Sequence, residues 1–181
     1  MDGSAIDRFG AIDGSGLYEV RARIRRLDHI AIAAADAEGP LRFYSQLLGL
    51  RGSRPQLVPD EEVIATFLEV PGSRIEILEP TSETSPVARF IRERGGGLHH
   101  VCFEVVDLEG ILESLKASGV ELIDEKPRPG RQGERIAFVH PRSAHHVLIE
   151  LAEPQLTRDS RSASGSDPRG PEGPMMHRGE G

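Results

Sequence analysis

Two stretches of the chain carry the same alternation of apolar and polar residues. Leu27-Asp28-His29-Ile30-Ala31-Ile32 and Leu98-His99-His100-Val101-Cys102-Phe103 both have the short period of a β-strand, with a histidine at the third place of each. An aspartate follows each histidine by seven residues, Asp36 or Asp107, and a helical pattern begins there. The histidines are 71 residues apart (29 to 100), and so are the aspartates (36 to 107). Leu41, Phe43, Tyr44, Leu47 and Leu48 predict a helical apolar stripe in the first copy, and Ile111, Leu112 and Leu115 predict one in the second. Each helix is expected to stop at a glycine, Gly49 or Gly119, through a left-handed C-terminal cap.

The copies also close alike. Ile75-Glu76-Ile77-Leu78-Glu79-Pro80 matches Ile149-Glu150-Leu151-Ala152-Glu153-Pro154 at an offset of 74 (76 to 150), so the second copy holds three more residues. The loop KPRPGRQG, 126–133, is the expected place for them. Extended segments are predicted near 50–58 and 62–70 in copy one, and at 120–124 and 134–139 in copy two. Ser85–Arg94 is expected to be a connecting helix and Gly95-Gly96-Gly97 a turn. The predicted fold is α+β: two tandem βαβββ modules forming a curved mixed sheet, residues 24–80 and 97–154, joined by a connector helix at 84–94. A pseudo-twofold axis relates the modules, and each is too small to be stable alone.

The ends of the chain depart from this pattern. Residues 1–16 are small and polar, and 157–181 consists mostly of Gly, Pro, Ser and charge, so ordering them would cost more entropy than burial returns. Residues 1–23 and 155–181 are therefore expected to be disordered tails around one domain at 24–154. Hydrophobic residues make up 38% of the 181, a shortfall that sits in these tails. The net charge of −7 argues against a nucleic-acid partner, whose binders concentrate positive charge on one face. Arg21, Arg23, Arg25 and Arg26, the one basic cluster, read as a solubilising lead-in to the first strand. The single cysteine, Cys102, excludes an internal disulfide and, within Val101-Cys102-Phe103, is expected to be a buried thiol. No apolar run is long enough to span a membrane, and the N-terminus lacks the basic and apolar regions of a secretory signal, so a cytoplasmic location is expected.

The repeat carries chemistry. His29 with His100 and Glu76 with Glu150 are equivalent pairs, and a twofold arrangement brings equivalent positions together about its axis. Each lies in an otherwise apolar strand, where a polar side chain has to be satisfied. Two imidazoles and two carboxylates suit one divalent cation, with coordination positions left for a substrate. Taken singly, a strand histidine is usually a core or edge residue, and a strand glutamate usually faces solvent, as Glu79, Glu104 and Glu153 are expected to. The symmetric placing of two pairs is what sets these four apart. Among the other histidines, His99 is expected on the opposite strand face from His100. His140 reads as structural, and His145 and His146 as part of an exposed turn.

With these residues in place, the chain resembles the vicinal oxygen chelate superfamily, which includes glyoxalase I, extradiol dioxygenases and antibiotic-resistance proteins. Within it, the chain is most similar to the methylmalonyl-CoA epimerase family. The LDHIA start at 27–31 and the IEL ending are common to the superfamily, whereas SPVARF (85–90), DEKPRPG (124–130) and FVHP (138–141) are particular to the epimerases. The resemblance runs from Leu27 to Pro154. It implies that His29, Glu76, His100 and Glu150 hold one divalent metal ion; that family position of Glu76 also accepts glutamine. Cobalt is the expected ion, and zinc, nickel, manganese and iron also suit the donors.

The resemblance further implies interconversion of (2R)- and (2S)-methylmalonyl-CoA by proton transfer at C2 through a metal-stabilised enolate. Glu150 would be both ligand and one base, and the other face of C2 needs a second acid–base group. Some members carry a glutamate where this chain has Ala65. Glu61, Glu62 and Glu69 are each off by at least one place, so the second base is left unassigned, with Glu76, across the metal from Glu150, as one substitute. An acyl-CoA substrate calls for cationic partners to its phosphates, and Lys126, Arg128 and Arg131 in the long loop are the candidates. His145-His146 replaces residues that are small and glycine-like in the family, and exposed sheet edges predict a homodimer. The alternatives are another chelate-superfamily enzyme, such as a glyoxalase-like lyase or isomerase or an extradiol dioxygenase, and a non-enzymatic small-molecule-binding protein. The last needs an aromatic groove, for which no tryptophan, two tyrosines and six phenylalanines are a poor supply.

Overall fold

The computed structural model describes residues 20–131 and 133–155, so the two expected tails lie almost wholly outside the described residues. Residues 20–23, assigned above to the N-terminal tail, form a helical turn whose Val20 packs against the core of the second module. The apolar side chain of Val20 among the surrounding arginines accounts for that docking.

Strand β1 (Ile24–Ala33) is followed by a short helix, α1 (Glu38–Leu41), which runs on as a π-helical turn over Arg42–Leu47. Then come β2 (Gln56–Val58), a 3-10 turn at Pro59–Glu61, β3 (Val63–Val70), β4 (Ser73–Pro80) and the connector helix α2 (Pro86–Arg94). The second module is β5 (Gly97–Val105), α3 (Leu108–Ala117), β6 (Arg128–Pro129), β7 (Arg135–Val139) and β8 (Leu148–Glu153). A 3-10 turn at Pro141–Ala144 precedes β8.

All eight strands form one curled mixed sheet in the order β2-β3-β4-β1-β5-β8-β7-β6. Each module contributes one half, and the halves mirror each other. The first strand of each module runs parallel to its closing strand, β1 with β4 and β5 with β8. β1 and β5 meet antiparallel at the centre, where the pseudo-twofold axis passes. The tandem βαβββ organisation expected from the sequence is therefore the fold.

Local signals set the helix ends. Ser85 caps α2 by accepting from the Val87 N–H at 3.2 Å, Pro86 occupies its first turn, and Gly95 closes it in the left-handed conformation. A side chain at Gly96, in the turn that follows, would meet the carbonyl oxygen of Ala33 at 2.8 Å, so that close approach requires glycine. Asp107 caps α3 by accepting from the Gly110 N–H. Leu108, Ile111 and Leu112 of α3 pack against Ala137, Val139 and Leu151 of the second half-sheet.

The first module differs from its copy. Its helical stripe is not buried: Phe43 is 50% exposed, Leu47 70% and Leu48 57%. The π-helical turn changes the angular spacing of successive side chains, so a stripe set for an α-helix loses its common face. The connector helix covers the first module instead, with Val87, Phe90 and Ile91 on its core. Two expected strands are also shorter than their patterns. The 50–58 segment pairs as a strand only at 56–58, with an isolated bridge from Gly52 to Leu68, and 120–124 contributes only a bridge from Leu122 to Val139. Pro55 has no N–H to give to a ladder, which confines the first of these to a short edge strand.

Candidate active site

The four central strands each deliver one candidate ligand: Glu76 from β4, His29 from β1, His100 from β5 and Glu150 from β8. Register explains the convergence. Ala31 pairs with Glu76 on one side and His100 on the other, while Cys102 pairs with His29 and Glu150. Ala31 and Cys102 are themselves equivalent under the repeat, and their small, fully buried side chains leave space beside the four larger ones.

All four side chains are buried, with exposures of 4% for His29, 2% for Glu76, 5% for His100 and 8% for Glu150. The two Nε2 atoms face each other at 3.1 Å. Glu150 Oε2 lies 3.0 Å from His100 Nε2 and 3.5 Å from His29 Nε2. Glu76 Oε2 lies 3.3 Å from His29 Nε2 and 3.6 Å from His100 Nε2. Donor atoms about 2.1 Å from a common centre and roughly at right angles lie about 3 Å apart, so the mutually close His29, His100 and Glu150 suit a shared divalent ion, with Glu76 reaching the same two imidazoles. Two imidazole nitrogens and two carboxylates turned toward one point inside the protein need positive charge, as a proton or a metal ion, to be held together.

The charge balance points the same way. Burial works against ionisation of Glu150, yet hydrogen bonds to His100 and His29 outweigh it and hold the carboxyl well below the usual range. His29 is pushed up despite burial, by hydrogen bonds to Asp28, Cys102, Glu150 and Glu76. The carboxylates thus favour positive charge at this point, which a proton on His29 or a bound divalent ion would supply.

The outer support of the two imidazoles was not legible in strand alternation. Asp28 Oδ2 lies 2.9 Å from His29 Nδ1, and His99 Nδ1 lies 3.0 Å from His100 Nδ1. His99 was expected on the opposite face from His100, and the register gives the reason that it is not. Pairing between β1 and β5 slips once between Leu27 and His29, which leaves Asp28 as the extra residue. It slips again where Ala31 pairs with His100 and Ile32 with Leu98, which leaves His99 extra. Each slip is a bulge that re-aims the side chain just before a candidate ligand histidine. A signal was present, since Asp28 and His99 are equivalent polar residues under the 71-residue offset (28 to 99). Asp28 is in turn held by Arg74 and by Arg26, whose Nη2 is 2.5 Å away.

The loop cations divide. Lys126 is exposed, and Arg128 lies over the Phe138 ring at 5.3 Å with its Nη2 3.7 Å from Glu61. Arg131 reaches inward instead, with Nη2 2.6 Å from Glu76 Oε1. Glu61, at the end of the 3-10 turn, is one of the glutamates that the sequence set aside as off the family position. Burial first, and then the charge of Glu150, push its carboxyl up. His140 is structural as expected, its Nδ1 accepting from the Arg142 N–H at 3.1 Å. His145 and His146 form an exposed turn with left-handed φ of 50° and 69°. Cys102 is buried and its thiol is pushed up to about 12, mainly by burial.

Residues 28–138 match the model of the Glyoxalase/Bleomycin resistance protein/Dioxygenase superfamily. An ethylmalonyl-CoA/methylmalonyl-CoA epimerase from Cereibacter sphaeroides is 36% identical over 132 residues, covering 72% of this chain and 98% of that protein. The crystal structure of methylmalonyl-CoA epimerase from Mycobacterium tuberculosis superposes with a TM-score of 0.67 at 35% identity, covering 73% of this chain and 89% of that one. A structure of methylmalonyl-CoA epimerase in complex with methylmalonyl-CoA and NH4+ gives a TM-score of 0.68 at 31% identity, covering 74% and 96%. The curled sheet, the two buried His–Glu pairs and these likenesses agree, and the chain belongs to the glyoxalase/bleomycin resistance/dioxygenase superfamily and, within it, to the family of the methylmalonyl-CoA epimerases.

Proposed function

We propose that this protein interconverts (2R)- and (2S)-methylmalonyl-CoA by moving a proton at C2. The observation that carries the reading is the buried set of His29, His100, Glu76 and Glu150, in which each carboxylate lies 3.0–3.6 Å from the two imidazoles, beside Glu61. The relatives named above support the substrate.

C2 lies between a thioester and a carboxylate, so loss of its proton places negative charge on the thioester oxygen. When bound by His29, Glu76, His100 and Glu150, a divalent ion supplies a Lewis acid for that charge. Cobalt is the ion we assign, with zinc, nickel, manganese and iron as the others that imidazole and carboxylate donors accept. Epimerisation needs one acid–base group on each face of C2. Glu150 serves one face. For the other we assign Glu61 in place of Glu76, because Glu76 is tied to both imidazoles and to Arg131. A carboxyl raised by burial and by a neighbouring carboxylate is suited to give a proton as well as take one. Phe67, edge-on to His29 at 5.6 Å, and Phe138, edge-on to His100 at 5.9 Å, limit the access of water to the reacting carbon.

Exposed Lys126 and half-buried Arg128 are the cations we assign to the phosphates of CoA. The reading includes a cytoplasmic enzyme with no nucleic-acid or membrane partner; no helix among the described residues is long and apolar enough to cross a membrane. It also includes a homodimer, for which the exposed Phe43, Leu47 and Leu48 supply apolar surface. The test is incubation of enantiopure (2S)-methylmalonyl-CoA with cobalt-loaded protein, followed by chiral separation. Appearance of the (2R) epimer is the expected result. An unchanged (2S) epimer, with cobalt bound, would move the search to glyoxalase-type and ring-cleavage substrates.

A further inference from the structure

Arg131 is unlike the other cations of its loop. Its side chain is only 18% exposed, and its guanidinium stacks on the Phe67 ring with Cζ 4.8 Å from the centroid. Nη2 is paired with Glu76 Oε1, whereas Nη1 is buried without a hydrogen-bond partner among the described residues. A buried guanidinium nitrogen left unpaired costs free energy, and an acceptor brought by a ligand would recover it. The surroundings show where such an acceptor would enter. Arg131 borders a cavity of about 450 Å³ that is also lined by His29, Phe67, Arg74 and Glu150. It borders a second of about 240 Å³ on the side of Glu61 and Arg128. Arg131 thus stands beside the ligand cluster, between two spaces open to a substrate.

Resting on the functional reading above, we propose that Arg131 is a specificity-determining residue that binds the free carboxylate of the acyl group and selects 2-carboxyacyl thioesters over neutral ones. A planar guanidinium gripped by a ring face and one carboxylate is pre-oriented, so it can offer its remaining N–H groups to a second carboxylate at little entropic cost. The carboxylate is the feature that separates methylmalonyl-CoA from propionyl-CoA, and a site built to hydrogen-bond a group rejects analogues that lack it. Arg131 is distinct in this from Lys126 and Arg128, which are left to the outer end of the substrate.

The test is calorimetric titration of metal-loaded wild type, Arg131→Gln and Arg131→Lys with malonyl-CoA and with propionyl-CoA. Deuterium exchange at C2 of methylmalonyl-CoA is run on the wild type alongside. The expected result is malonyl-CoA affinity lower by about tenfold to a hundredfold in Arg131→Gln, a smaller loss in Arg131→Lys, and propionyl-CoA affinity unchanged in both. A residue that merely balances the charge of Glu76 would weaken both ligands alike or neither. Either pattern, in a wild type that exchanges C2, overturns the role of Arg131 and leaves the epimerase reading standing. A wild type that neither exchanges C2 nor prefers malonyl-CoA overturns both.

Discussion

Asp28 accepts the Nδ1–H of His29 across 2.9 Å, and this one contact decides which nitrogen of the imidazole faces the site. Burial raises the Asp28 carboxyl, but the hydrogen bonds to His29 and Arg74 dominate and hold it at about 2, so at neutral pH it is ionised and can only accept. Nδ1 is therefore a donor, so the Nε2 lone pair would face a cation once the proton held there by Glu76 and Glu150 has left. His99 plays the matching part for His100. Burial first, and then His100, hold His99 down at about 4, so it is a neutral ring able to accept.

Asp28→Asn is expected to keep the fold and lower metal affinity by about ten- to a hundredfold, because an orienting carboxylate also raises the basicity of the imidazole it holds. Competition against a calibrated chelator measures this. Unchanged affinity would show that Arg26 and Arg74, not His29, are the partners that matter to Asp28.

The same carboxylate gives a pH signature to the metal-free protein. Its folded value of about 2 lies below the unfolded value of about 3.9, so the folded chain binds fewer protons in that interval. The stabilisation is fully present above the unfolded pKa and is lost as pH falls through the folded one, to a total of about 2 kcal/mol. Urea unfolding of wild type and Asp28→Asn between pH 6 and pH 3 is expected to show the gap between them closing as pH falls. A gap constant across that range would contradict the assignment.

The two bases are separable by stereochemistry. Glu61→Gln is expected to slow epimerisation by about 10²- to 10⁴-fold while one epimer still exchanges its C2 proton with retention, and Glu150→Gln should suppress that exchange. NMR of each pure epimer in D2O reads both effects. If Glu76→Gln, and not Glu61→Gln, produced the one-sided exchange, Glu76 would be the second base.

The repeat made most of this architecture legible. Equal offsets at His29/His100 and Asp36/Asp107 implied two modules, and the pairing of Glu76 with Glu150 implied a shared site before any contact was known. What stayed hidden depends on features that periodicity averages away. A one-residue bulge at Asp28 and at His99 reverses the face that alternation predicts. The π-helical turn at Arg42–Leu47 turns a normal-looking apolar stripe outward. Arg131 lies in an irregular loop and Glu61 in a single 3-10 turn, both too short for spacing to give a direction, so their inward placement needed the folded chain.

The most direct test of the epimerase assignment is deuterium incorporation at C2 of methylmalonyl-CoA, followed by NMR in D2O with metal-free and cobalt-loaded protein. The account predicts rapid exchange only in the loaded protein, with a single epimer converting to the mixture as exchange proceeds. Exchange no faster than background, with cobalt shown to be bound, would contradict it.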